Sequence, residues 1–107
     1  NQPLDDWDVS NVKYMQKMFR HAIFFDQALG SWNTAKVYDM EDMFRNATIF
    51  NQPLDDWDVS NVKYMQKMFR HAIFFDQALG SWNTAKVYDM EDMFRNATIF
   101  NQPLDDW

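Results

Sequence analysis

The chain has 107 residues, 47% of them hydrophobic and 18% aromatic, which is too rich in large apolar side chains for a disordered polymer. Sixteen acidic against ten basic residues give a formal charge of -6, so nucleic acid and anionic membrane surfaces, both gripped through an excess of Lys and Arg, are disfavoured as partners. The absence of cysteine removes disulfides and thiolate metal sites, and the run Ala22-Ile23-Phe24-Phe25 is far short of the roughly 18 apolar residues that cross a bilayer.

Residues 1 to 50 recur unchanged as residues 51 to 100, and Asn101 to Trp107 repeat the opening NQPLDDW. Within the 50-residue block a shorter period appears: the second 25 residues match the first at Gln2, Leu4, Trp7, Val12, Met15, Met18, Phe19, Arg20, Ala22 and Phe25. Most of these are apolar, as a repeating core demands. The array is therefore read as one domain, 1–107, of units 1–25, 26–50, 51–75 and 76–100 with a partial unit 101–107. It opens at Asn1 in mid-pattern, without a basic and apolar leader, and so reads as a window cut from a longer array.

Each unit opens with a turn at Pro3 and Asp5-Asp6, replaced by Gly30-Ser31 in the alternate unit. Leu4, Trp7 and Val9 then follow the L-x-x-L-x-L spacing of a leucine-rich repeat, which predicts a short strand over 7–9. From Ser10 to Ala22 no Gly or Pro intervenes, and Val12, Met15, Met18, Phe19 and Ala22 fall on one helical stripe, which predicts a helix of about ten residues. Ser10 or Asn11 would cap it, whereas Ala35 and Lys36 offer no cap and predict a frayed start in the alternate unit. The expected fold class is an α/β repeat: a leucine-rich-repeat-like solenoid with one short parallel strand and one short helix per 25-residue turn. Helices on the outside need about 8–10 Å and strands about 4.8 Å, so the stack should bend toward its strands.

The run FNQPLDDWDVSNVKYMQKMFRHA, from Phe50 to Ala72, resembles the BspA-like leucine-rich-repeat surface proteins of bacteria, with FNQ-L, W-VSNV and M--MF at that family's spacing. The alternate unit departs from the pattern at Asp26, Ala28 and Asn33-Thr34-Ala35. The resemblance implies a secreted or cell-surface repeat used for adhesion or as a stalk, and it implies no catalytic residue.

Several columns of repeated side chains are candidates for chemistry. Gln2, Gln27, Gln52 and Gln77 hold one position in every unit and read as a structural amide ladder. Trp7, Trp32, Trp57 and Trp82 read as a buried stack of indoles, in preference to an exposed platform for sugars. Asp5, Asp6 and Asp8, with Asp55, Asp56 and Asp58, are calcium candidates by density of oxygen ligands, but no glycine supplies the sharp loop, and a solvated acidic turn is preferred. Asn46 and Asn96 open N-x-[ST] triplets and are glycosylation candidates in a secreted eukaryotic setting. The methionines at 15, 18, 40 and 43 lie on the core stripe; Arg20, Arg45, Arg70 and Arg95 read as ion-paired to acids such as Asp42; His21 and His71 lack the partners of a catalyst.

A chain that presents the same groups again and again is poorly suited to converge different groups on one reaction, and no motif calls for a cofactor. The expected function is a non-enzymatic extracellular or cell-surface structural and adhesive repeat, part of a long stalk or filament. Its partners would be itself, head to tail, and a host or matrix protein or a glycan. The alternative is a protein-binding scaffold that uses the concave strand face.

Overall fold

The computed structural model describes residues 3–107, and in it each unit is a succession of four-residue turns. In the first unit the amides of Trp7, Val12, Met18, Ala22 and Phe25 donate to the carbonyls of Leu4, Val9, Met15, Phe19 and Ala22, at 2.9–3.3 Å. Each turn thus begins and ends on an apolar side chain of the repeating core pattern, while the pairs between, such as Asp5-Asp6 and Gln16-Lys17, are exposed. The third residue of the two central turns has a positive φ, 62° at Lys17 and 63° at His21, and the same holds at Asp42 and Asn46 in the alternate unit. That is the conformation a type II turn requires there.

The amides left over bond to the neighbouring unit. Met15, Lys17, Phe19 and His21 donate to the carbonyls of Asp39, Glu41, Met43 and Arg45 at 2.8–2.9 Å, and Met40, Asp42, Phe44 and Asn46 repeat the pattern onto Tyr64, Gln66, Met68 and Arg70. Isolated parallel bridges tie Tyr14 to Asp39, Asp39 to Tyr64 and Tyr64 to Asp89. Most backbone amides in this stretch are directed either three residues back or one unit along, which satisfies polar groups that would otherwise be buried.

The expected α/β leucine-rich-repeat-like solenoid is therefore corrected. Among the described residues there is no helix, and strand pairing is confined to those single bridges; it falls within the segment 10–22 where a helix is expected, and residues 7–9 form no strand. There is accordingly no concave strand face. The body measures 31 × 30 × 20 Å. The reason for the misreading is geometric: two successive turns, Met15–Met18 and Phe19–Ala22, place inward residues at offsets of zero, three, four and seven, the same stripe an amphipathic helix shows. The turns prevail because they give every part of the unit one common spacing. A layer of helices would need nearly twice the separation of hydrogen-bonded chains. The capping roles change as well. Asp8 accepts from the Ser10 amide, and Asn33 accepts from the Ala35 amide in the alternate unit, so both turns are held alike and the described residues have no helix start to fray.

With one spacing throughout, identical side chains stack on one another. Phe19, Phe44, Phe69 and Phe94 form a ladder with centroids 5.5–5.6 Å apart, and Phe25, Phe50, Phe75 and Phe100 a second at 5.7–6.0 Å. The two ladders touch within each unit, as at Phe44 and Phe50, 4.3 Å apart. Leu29, Leu54 and Leu79, Val37, Val59 and Val62, and the methionines at 15, 40, 43, 65 and 68 complete the core. Offset stacks of this kind add to what area burial alone contributes.

Candidate interaction surface

The columns picked out by the repeat are built into this framework in different ways. The indoles of Trp32, Trp57 and Trp82 are buried, whereas Trp7 in the first unit is exposed. Trp32 lies over Trp57 at 6.3 Å and Trp82 over Trp107 at 6.2 Å, with ring planes within 2°. Each indole N–H donates to a leucine carbonyl of the preceding unit: Trp32 to Leu4 at 2.7 Å, Trp57 to Leu29 and Trp82 to Leu54 at 2.9 Å. A buried indole thus keeps its one polar group satisfied.

The glutamines do not bond to one another. Gln52 donates from Nε2 to the carbonyl and Oδ1 of Asp26, Gln77 to those of Asn51, and Gln102 to those of Asp76. The same carboxylate or amide oxygens also accept the backbone amides of Asn51, Asp76 and Asn101. The ladder is therefore made of glutamine and the Asn or Asp beside it, a partner the sequence reading passed over because the residue alternates between units. The carboxyl of Asp76 is held below its ordinary range by the Asn101 amide and then the Gln102 side chain. Gln2 lies outside the described residues, and the side-chain carbonyl oxygen of Gln27 is buried without a partner among the described residues.

The aspartates are dispersed. Asp5, Asp6, Asp55 and Asp56 are exposed, and the backbone carbonyls of Asp5 and Asp55 accept from Ser31 and Ser81 at 2.8 and 2.9 Å. Asp8 and Asp58 turn Oδ1 back onto the hydroxyl and amide of Ser10 and Ser60, and these hydrogen bonds, the hydroxyl foremost, lower both carboxyl pKa values. Among the described residues no three His, Asp or Glu side chains gather closely enough to hold a metal ion.

Asn46 is half-buried, with Nδ2 2.8 Å from Nδ1 of His21, while Asn96 is exposed. Arg45 pairs with Asp42 at 3.7 Å and Arg95 with Asp92 at 3.5 Å. In the other units Lys17 and Lys67 stand where those aspartates would be.

One surface that the sequence reading did not single out is a column of tyrosines flanked by lysines. Tyr14, Tyr38, Tyr64 and Tyr88 meet edge to face, 6.1, 5.7 and 6.4 Å apart in succession. A groove of about 390 Å³ runs between Tyr14 and Tyr38 and the lysines 13, 36, 63 and 86. The Tyr64 phenol is raised above its ordinary pKa chiefly by Tyr38. The signal was present: the sequence alternates Lys13, Tyr38, Lys63, Tyr88 at one repeat position and Asn11, Lys36, Asn61, Lys86 at another, but an alternating position shows no identity between adjacent units.

The family described as "Mycoplasma protein of unknown function, DUF285" matches residues 1–107, and the chain belongs to that family. Neither a curated protein nor a solved structure matches it.

Proposed function

We propose that this chain is a non-enzymatic structural and adhesive repeat of the cell exterior, a stretch of a long surface stalk or filament of the BspA-like type. The observation that carries the reading is that the same side chains stack on one another from unit to unit. Trp32 lies over Trp57 and Trp82 over Trp107, and the two phenylalanine ladders run through all four units at 5.5–6.0 Å. One face of a unit is therefore complementary to the opposite face of the next, and contacts of one face to a different face propagate linearly unless they close into a ring. Side chains repeated at one height per unit would then offer many weak contacts along a surface, which favours avidity over a single tight site.

Light scattering and electron microscopy of the chain at micromolar concentration test the assembly. Linear particles of varying length are expected, and a monomer that shows no association at any concentration would refute the filament. Protease treatment of intact cells carrying the full-length protein tests the location, and complete resistance there with digestion in lysates would place it inside the cell.

A further inference from the structure

Within a chain of net charge -6, the tyrosine column is the site of a local excess of cations. Lys13, Lys36, Lys63 and Lys86 all line the groove beside Tyr14 and Tyr38. Asp39 and Asp89, bridge partners of Tyr14 and Tyr64, each turn Oδ1 to a backbone amide, that of Glu41 or Glu91. Among the described residues the groove itself is lined by four lysines and no carboxylate, in a chain that is negative as a whole.

Three of the four ammonium groups are held by neutral partners. Lys36 donates to Oδ1 of Asn11 at 2.9 Å and Lys86 to Oδ1 of Asn61 at 3.3 Å, and Lys63 lies 5.4 Å above the centre of the Tyr38 ring. The ion pairs among the described residues join Arg45 to Asp42 and Arg95 to Asp92, and neither uses a lysine. Three positive charges are thus positioned by neutral groups and left available to a ligand.

We infer that this face binds a linear acidic polysaccharide with one carboxylate per sugar, laid along the column. Each unit supplies one ammonium and one phenol, and successive tyrosine rings lie 5.7–6.4 Å apart, so a linear ligand laid along the column meets the same pair of groups at every unit. The phenols suit such a ligand because a ring edge packs on the apolar side of a sugar while the hydroxyl bonds to its polar rim. Nucleic acid fits less well. The rings are inclined to each other by 65–73° and form no parallel platform on which bases could stack. Duplex DNA carries a charge about every 1.7 Å, and at low salt the acidic remainder of the chain repels so dense a polyanion. This inference rests on the adhesive part of the reading above and names its ligand; particle formation is a separate property.

Affinity electrophoresis of the intact chain through gels holding polygalacturonate, neutral dextran, poly(dT) or polyglutamate tests it. Retardation by polygalacturonate that weakens as salt rises is expected, with little by the other three. Replacing Lys13, Lys36, Lys63 and Lys86 together by Gln should weaken it about tenfold or more. Tyr14→Ala with Tyr88→Ala, both at exposed side chains, should weaken it while leaving the salt dependence in place. Circular dichroism of each variant checks the fold, and ring-proton shifts of the unmodified chain on titration give a reading that needs no variant. Absence of retardation, an unchanged quadruple variant, or stronger retardation by poly(dT) or polyglutamate would overturn the inference, the last two by assigning the face to nucleic acid or to acidic peptides. None of these outcomes alters the light-scattering result, so the failure of the ligand and the failure of the filament remain distinguishable.

Discussion

Residues 3–25 and 53–75 have the same sequence in two different settings. Their turns are the same: Trp7 and Trp57 donate to Leu4 and Leu54 at 3.0 and 3.1 Å, and Met18 and Met68 donate to Met15 and Met65 at 3.3 and 3.2 Å. Their burial is not. Met18 is 42% exposed where Met68 is fully covered, and the tryptophans differ more. Local conformation in this protein is thus a property of the unit, while most of the stabilisation belongs to the contact between units, as in other arrays whose repeats touch only their neighbours.

The largest effect should come from truncating an inner indole. Trp57→Ala removes a fully packed side chain together with the bond to the Leu29 carbonyl, and should cost about 3–5 kcal/mol. Trp7→Ala, at an exposed copy of the same residue, should cost under about 1 kcal/mol. Urea unfolding of the two variants measures this, and equal losses would abolish the distinction between inner and outer units. Met68→Ala against Met18→Ala repeats the comparison at smaller scale, with about 2–4 kcal/mol expected for the inner methionine and well under half of that for the outer one.

Which residues make the core was legible in the sequence, and which secondary structure carries them was not. Val12, Met15, Met18, Phe19 and Ala22 have the spacing of a helix face, but Leu4 to Trp7 and Val9 to Val12 are also three apart, so the interval runs through the whole unit and not through one element. A unit in which every apolar pair encloses two outward residues is a unit of turns. Asn46 and Asp42 at the positions of positive φ point the same way, since Asn and Asp tolerate that conformation better than other side chains. Lys17 and His21 conceal the signal in the first unit. The side-chain columns were legible where residues repeat identically, at Trp and Gln, and illegible where they alternate, at the Lys and Tyr positions and at Asn51 and Asp26, because comparison of adjacent units registers identity and overlooks complementarity.

The third prediction concerns what inner and outer units share. Lys17 and Lys67 have φ of 62° and 58°, an unfavourable region for a lysine but an accessible one for asparagine. Lys17→Asn and Lys67→Asn should each stabilise by about 0.5–1 kcal/mol, and by nearly equal amounts, because the strain lies within one turn. A gain confined to Lys67, measured by urea unfolding, would mean that stacking and not the turn sets this backbone conformation.

The smallest effect sharpens the same division. Asp8 lies in an outer unit and Asp58 in an inner one, and both carboxyl groups are lowered by the hydroxyl and amide of the serine two residues on. Because the folded pKa lies below the unfolded value of about 3.9, the folded chain releases the proton more readily than the unfolded chain does. The contribution to stability is therefore present above that unfolded value and is lost as pH falls through the folded one. Carboxyl titration by NMR should find Asp8 and Asp58 displaced in the same direction, and Ser10→Ala and Ser60→Ala should return each toward the ordinary range at its own unit alone. If Ser60→Ala also moved Asp8, or if the inner carboxyl alone were lowered, the turn would be coupled to its neighbours. The separation of a self-sufficient turn from a burial conferred by stacking would then fail at its most local point.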